Sequence, residues 1–190
     1  MRKSTKRLVC LAAAAVLLIS GAYGVYRYAR WRHDSDIEAR LARLAPIIWK
    51  HAQANSLPTE LVREMIRAES GGNERAESSR GAKGVMQITP VALEEVRRAR
   101  HIGEGDLFDP DYNIAVGTAY LRMMLVKFDG DVYLAVAAYN MGPTKLLAAR
   151  RANPGMSGRE IVERTAPPAT ISYCRKVLGD RDPKLPAKPR

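Results

Sequence analysis

Apolar residues recur along most of this chain at steps of three and four and rarely at steps of two, the spacing of helices rather than strands. Ile37, Leu41, Leu44, Ile47 and Ile48 share one face of a helix expected over Ile37–Ala54, with Pro46 placed to kink or divide it. A second helix should open near Pro58, because proline is tolerated in a first turn. It carries Leu61, Val62, Met65, Ile66 and Glu69 and stops at Gly71-Gly72. Residues 71–84 lose that period, gain Gly, Ser and charge, and read as a loop or small irregular strand region. Helices resume over Pro90–His101, Asp111–Phe128, Val132–Asn140 and Thr144–Arg151. Beyond the breakers Asn153-Pro154-Gly155 and Pro167-Pro168, a last short helix is expected from Ile171 to Leu178. No internal repeat is visible, and the fold class is mainly α.

The N-terminal end follows a different pattern. Arg2, Lys3, Lys6 and Arg7 precede an uncharged run from Leu8 to Tyr26, and charge returns at Arg27. As a helix that run would extend about 28 Å, close to the thickness of a bilayer's hydrocarbon. Residues 1–33 are therefore expected to be a membrane anchor touching the bilayer through residues 8–26. A signal segment cleaved after Ser20-Gly21-Ala22 is the alternative. The basic flank favours an inside N-terminus, although Arg27, Arg30 and Arg32 beyond the run count against it. The expected order is then anchor or signal (1–33), folded domain (34–178) and a Pro-rich basic tail without fixed structure (179–190).

Charge changes the picture less than its sum suggests. The net charge is +11, but residues 1–33 hold Lys and Arg with no acid, and residues 175–190 are again mostly basic. Between those ends the two signs balance, so a basic groove for nucleic acid is not indicated, and no nucleic-acid partner is expected. Cys10 lies in the apolar run and Cys174 stands alone in the rest, so the domain closes no internal disulfide. His33, His51 and His101 lack metal-ligand spacing, and no metal or cofactor is expected.

Glu69 is the candidate for chemistry. On a helical wheel it lies about 40° from Met65 and about 60° from Ile66, inside the apolar stripe. Desolvation there disfavours its anion, and the carbonyl end of the helix just before Gly71 does the same. A carboxyl kept protonated near neutral pH is what a general acid requires. Glu64 lies about 140° away on the wheel, so it is not a partner.

Several further segments give Glu69 a context. Glu69-Ser70 is followed by Ser78, by Gly81-Ala82-Lys83-Gly84-Val85-Met86-Gln87, by Phe108-Asp109-Pro110 with Asn113-Ile114, and by Ala138-Tyr139-Asn140-Met141-Gly142-Pro143. In order and spacing, over about residues 45–178, this resembles the lytic transglycosylases of the soluble (SLT) type.

The resemblance implies a lysozyme-like helical domain with a glycan-binding groove, and a catalytic glutamate at Glu69. It implies cleavage of the β-1,4 bond between N-acetylmuramic acid and N-acetylglucosamine in peptidoglycan, leaving 1,6-anhydro ends without consuming water. In that scheme one glutamate is acid and then base, and the substrate's 2-acetamido group replaces a second carboxylate. By position, Ser78, Met86, Gln87, Tyr139, Asn140 and Tyr173 are implied to bind substrate, Met86 by supporting the groove wall. Thr89 departs from the family pattern, where an apolar residue is common. The implied location is the bacterial inner membrane in a single pass, with the domain in the periplasm, or secreted if the leader is cut. A lysozyme-like hydrolase of the same bond and a non-catalytic glycan-binding protein of an envelope-spanning machine remain alternatives.

Overall fold

The computed structural model describes residues 3–179, with side chains described from residue 18 onward. Of the expected tail over residues 179–190, residues 180–190 lie outside the described residues. Eight helices are present among them: α1 (Lys3–Ala54), α2 (Thr59–Ser70), α3 (Pro90–Arg100), α4 (Pro110–Lys127), α5 (Val132–Met141), α6 (Thr144–Ala152), α7 (Gly158–Thr165) and α8 (Pro168–Leu178). Two isolated β-bridges, Glu77 with Lys83 and Lys83 with Ile88, stand in the α2–α3 loop.

Pro46 does not divide α1, which continues through it to Ala54. Both Pro46 and Ala42, whose carbonyl the ring displaces, are exposed, so water can take up the freed acceptor. The chain forms two compact units, one ending at Ala39 and one beginning at Arg40. In the first, Tyr23, Tyr26, Tyr28 and Trp31 are exposed along α1, and the Tyr28 and Trp31 rings lie 6.0 Å apart. Among the described residues no helix is long and apolar enough to cross a membrane. The side chains of residues 8–17, which carry half of the expected span, lie outside those described.

In the second unit, α5 is the buried centre: every side chain from Val132 to Ala138 is in the core. A helix apolar on all sides must be surrounded, and α5 packs against α4, α7 and α8. Helix α2 packs on α8, α3 on α4, and α6 on α7. Leu41, Leu44, Ile48 and Ala52 bury one face of α1, as their spacing predicts. Helix α7 was not anticipated from hydrophobic periodicity; Ser157 and Glu160 form a capping box at its start. Helix α8 begins at Pro168, three residues before the expected Ile171, because proline suits a first helical turn.

The long α2–α3 loop is held from beneath by one side chain. Asn113 on α4 is fully buried, donates from Nδ2 to the carbonyls of Lys83 (2.9 Å) and Leu107 (2.8 Å), and accepts from the Met86 N–H at 2.8 Å. Gly84 has φ +73°, and a Cβ there would overlap the Asn113 side chain and the Leu107 carbonyl. Gly117, one helical turn further along α4, leaves the space that Met86 fills. At the far side of α4, Asp111 meets Lys50 (2.8 Å) and His51 (3.1 Å) of α1, and Lys50 is the main reason its carboxyl is held below the usual carboxylate range.

Truncating Asn113 to Ala strands an N–H and two carbonyls in the interior. The expected cost is on the order of 3 kcal/mol, read as a lower urea midpoint with an unchanged slope. A midpoint equal to that of the parent chain would show that the loop holds itself.

Candidate active site

Helix α2 ends because Gly71 takes up the left-handed conformation (φ 59°) and returns its N–H to the Arg67 carbonyl. That stop leaves Glu69 in the last turn, on the face whose neighbours Met65 and Ile66 are fully buried. Ser70 donates to the Val85 carbonyl at 2.8 Å, so the end of α2 is tied to the loop that Asn113 supports.

Glu69 keeps a partly exposed surface. Enough protein surrounds its carboxyl that burial lifts the pKa from 4.5 to about 7, with Tyr173 the opposing influence. No charged neighbour contributes to that shift. The Tyr173 hydroxyl is buried and faces the carboxyl closely enough to favour its anion, but it makes no hydrogen bond of full geometry. Burial, and then the charge of Glu69, hold the phenols of Tyr173 and Tyr139 well above their ordinary pKa, so both stay neutral donors.

The remaining sequence candidates take distinct places. Tyr139 donates to the Met86 carbonyl at 2.9 Å and packs edge-on against Tyr120 at 5.3 Å. Asn140 is exposed, and its Oδ1 accepts from Thr170 of α8 at 2.8 Å. Gln87, at φ +48°, gives its amide protons to the carbonyls of Ala76 (3.2 Å) and Gly84 (3.0 Å), which leaves its Oε1 as the acceptor for a ligand. Ser78 accepts from the N–H groups of Arg80 (3.3 Å) and Ala82 (3.0 Å); that turn is its main engagement, and its own proton is left over for another acceptor.

Met86 lies in the interior of the domain. Its side chain is fully buried against Gly117, so it shapes the wall from behind, and its backbone joins Asn113 to Tyr139.

Gln87, Tyr139 and Asn140 line a cavity of about 330 Å³ together with Glu95, Tyr120 and Thr144. Glu69 does not line it; Tyr139, which feels the charge of Glu69, joins the two. Sequence reasoning passed over Tyr120 and Glu95. Tyr120 has the spacing of a core residue, and Glu95 that of an ordinary polar helix position. Among the described residues, no group of three or more His, Cys, Asp or Glu is placed to hold a metal ion.

The helical domain thus sets one raised carboxyl beside two neutral phenols, with Tyr139 also lining a small cavity. Residues 46–162 match the Transglycosylase SLT domain family, and the chain belongs to that family. It is 35% identical over 112 residues to the membrane-bound lytic murein transglycosylase F of Desulfosudis oleivorans, covering 56% of this chain and 23% of that one. It is 31% identical over 140 residues to the soluble lytic murein transglycosylase of Salmonella typhimurium, covering 63% and 22%.

Among solved structures it resembles the lytic transglycosylase Slt of Pseudomonas aeruginosa, determined as an inactive variant with glutamine in place of one glutamate. The TM-score is 0.65 at 29% identity, over 70% of this chain and 22% of that one. The 70 kDa soluble lytic transglycosylase of Escherichia coli gives 0.63 at 26% identity, with the same coverage. The chain thus spans about a quarter or less of the length of these relatives.

A glutamate whose folded pKa is raised retains protons that the unfolded chain has released. Stability from this group is full below pH 4.5 and is lost as pH rises through about 7. The loss is at most about 3 kcal/mol, at about 1.4 kcal/mol per pH unit. Glu69→Gln should therefore stabilise the fold at pH 8 and change it little at pH 4, measured by thermal unfolding at both values. Equal shifts at the two values would refute the raised pKa.

Proposed function

We propose that this chain is a peptidoglycan lytic transglycosylase in which Glu69 serves as general acid and then general base. The observation that carries the reading is a carboxyl lifted to about pH 7 by burial, without a charged partner, in a domain of the SLT family. Protonated Glu69 gives its proton to the oxygen of the N-acetylmuramic acid–N-acetylglucosamine bond as the C1–O bond breaks. The 2-acetamido oxygen of the muramic acid steadies the cation developing at C1. The C6 hydroxyl then attacks C1, and the Glu69 carboxylate takes its proton. The enzyme is restored, no water is consumed, and the muramic acid ends as a 1,6-anhydro sugar.

The surroundings of Glu69 support one acid rather than two. Glu64 is engaged by Arg63 (3.3 Å) and Arg67 (3.1 Å), while Glu74 and Glu77 are exposed, Glu77 beside Lys83. Retaining and inverting glycosidases ordinarily flank the bond with a second carboxylate, and substrate assistance removes that need. Gln87, Tyr139, Asn140 and Tyr173 supply the hydroxyls and amides that read acetamido and hydroxyl groups, and Ser78 adds a hydroxyl in the same loop.

Digestion of purified peptidoglycan should release fragments with anhydro ends. Reducing ends carrying one added water would instead establish a hydrolase. Glu69→Gln should lower cleavage about 10²- to 10⁴-fold; undiminished cleavage would leave a glycan-binding assembly protein as the better account. Because the acid must start protonated, kcat/KM should fall as pH rises above about 7.

The same reading places the domain over residues 34–178 outside the inner membrane, facing the cell wall, on an anchor formed by the uncharged run Leu8–Tyr26. The exposed Tyr23, Tyr26, Tyr28 and Trp31 with Arg27 and Arg30 suit the level of lipid headgroups. Expressed in a bacterium, the full chain should sediment with membranes and resist salt extraction, and the chain from residue 34 onward should not. Equal partitioning of the two forms would remove the anchor.

A further inference from the structure

A threonine in a helix commonly returns its hydroxyl to a carbonyl three or four residues back. Thr118 and Thr165 do so, each at 2.7 Å from the carbonyl four residues earlier, of Ile114 and Ile161. Thr170 does not. It stands in the first turn of α8, which opens at Pro168, so Ala166, four residues back, lies before the helix. The Pro167 carbonyl, three residues back, is taken by the Ile171 N–H at 3.1 Å. The Thr170 hydroxyl reaches across to α5 instead and donates to Oδ1 of Asn140 at 2.8 Å. Thr170 is 3% exposed and Asn140 is exposed, so a buried donor holds a surface amide by its oxygen.

That bond decides which end of the amide is free. An asparagine side chain carries an acceptor oxygen on one arm and two donor protons on the other. With Oδ1 engaged, the Nδ2 protons have no partner among the described residues. Asn140 lies next to the last residue of α5, just before Gly142 turns the chain at φ +83°. An amide held by nothing at a helix end keeps its rotational freedom, and a ligand must then order it on binding. Three residues beyond Thr170, and about 60° around the same helix, Tyr173 stands close enough to Glu69 to oppose the rise of its pKa. Helix α8 packs on both α5 and α2, so one of its faces sends a hydroxyl to each.

We propose that Thr170 is a positioning residue: its hydroxyl fixes the Asn140 amide with Oδ1 held by the protein and the Nδ2 protons left to meet an acceptor oxygen of the glycan. The inference rests on the glycan-cleaving reading above and adds to it the group that orients one of the binding side chains. Thr170 acts through Asn140, so its hydroxyl should matter only while that amide is present.

Binding can be read without cleavage. In full-length Glu69→Gln protein, titrate a tetramer of β-1,4-linked N-acetylglucosamine by calorimetry. Thr170→Val, which keeps the shape and removes the donor, should raise Kd about fivefold, the scale of one neutral hydrogen bond. Thr170→Ser keeps the donor and should bind within about twofold of its parent, which guards against a misfolded valine variant. Asn140→Ala should weaken binding about tenfold. Adding Thr170→Val to Asn140→Ala should then change Kd less than about twofold further, because the hydroxyl has no amide left to hold. In the cleaving chain, Thr170→Val should raise KM by about the same factor as Kd. Its kcat should change less than about threefold, with the pH dependence of kcat/KM unaltered.

Additive losses in the double variant, a serine variant as weak as the valine, or a tetramer that does not bind at all would each overturn the assignment. So would a displaced pH profile, which traces the loss to movement of Tyr173 beside Glu69 and not to Asn140. If the unsubstituted chain cuts no glycan while Thr170→Val and Asn140→Ala remain coupled in binding, the reaction proposed above falls and the positioning role stands.

Discussion

Three hydrogen bonds leave the buried amide of Asn113, and each ends on loop backbone: the carbonyls of Lys83 and Leu107 and the N–H of Met86. A loop this long carries polar backbone that must be paired wherever water is excluded. An asparagine suits the task because one side chain offers two donors and an acceptor in one plane. Gly84 is a necessary consequence, since no Cβ fits between its backbone and that amide. From Met86 the chain of support continues through its carbonyl to the Tyr139 hydroxyl, so the wall of the cavity inherits its position from α4.

The chemistry of Glu69 follows from the same frame. The loop meets the end of α2 through Ser70 and Val85, and the last turn of α2 is thereby held against the domain. Glu69 stays partly exposed while its packed surroundings disfavour the anion, the two conditions that the proposed acid needs to work near neutrality. Tyr173 works in the opposite sense, so the raised pKa is a balance between desolvation and one nearby hydroxyl.

Much of this was legible along the chain. The apolar stripe of α2 and its glycine stop placed Glu69 correctly, because an amphipathic period and a left-handed cap are local properties. Helix α7 escaped because it is short and lies between breakers, although Ser157 and Glu160 form a start signal readable at a spacing of three. Met86 could be assigned to the site only through motif register, and its burial decides that it faces inward. Thr89 looked like a departure from pattern, yet its hydroxyl accepts from the Ala92 N–H and caps α3, a role an apolar residue lacks. Glu95 was invisible for a deeper reason. Its meaning depends on Tyr120 and Lys127, which reach it across the α3–α4 contact and not along the chain.

Glu69 and Glu95 stand in different surroundings, Glu95 lining the cavity and Glu69 lying outside it. A group that must hold a proton until the bond begins to break is best kept away from cations, and Glu69 has phenols, not lysines or arginines, as its electrostatic neighbours. Glu95 differs, with Lys127 standing 3.8 Å from it. The rings of Tyr120 and Tyr139 lie 5.3 Å apart, Tyr120 feeling the charge of Glu95 and Tyr139 that of Glu69. Those phenols are neutral, and Lys127 pairs with Glu95 while no cation contributes to the raised pKa of Glu69.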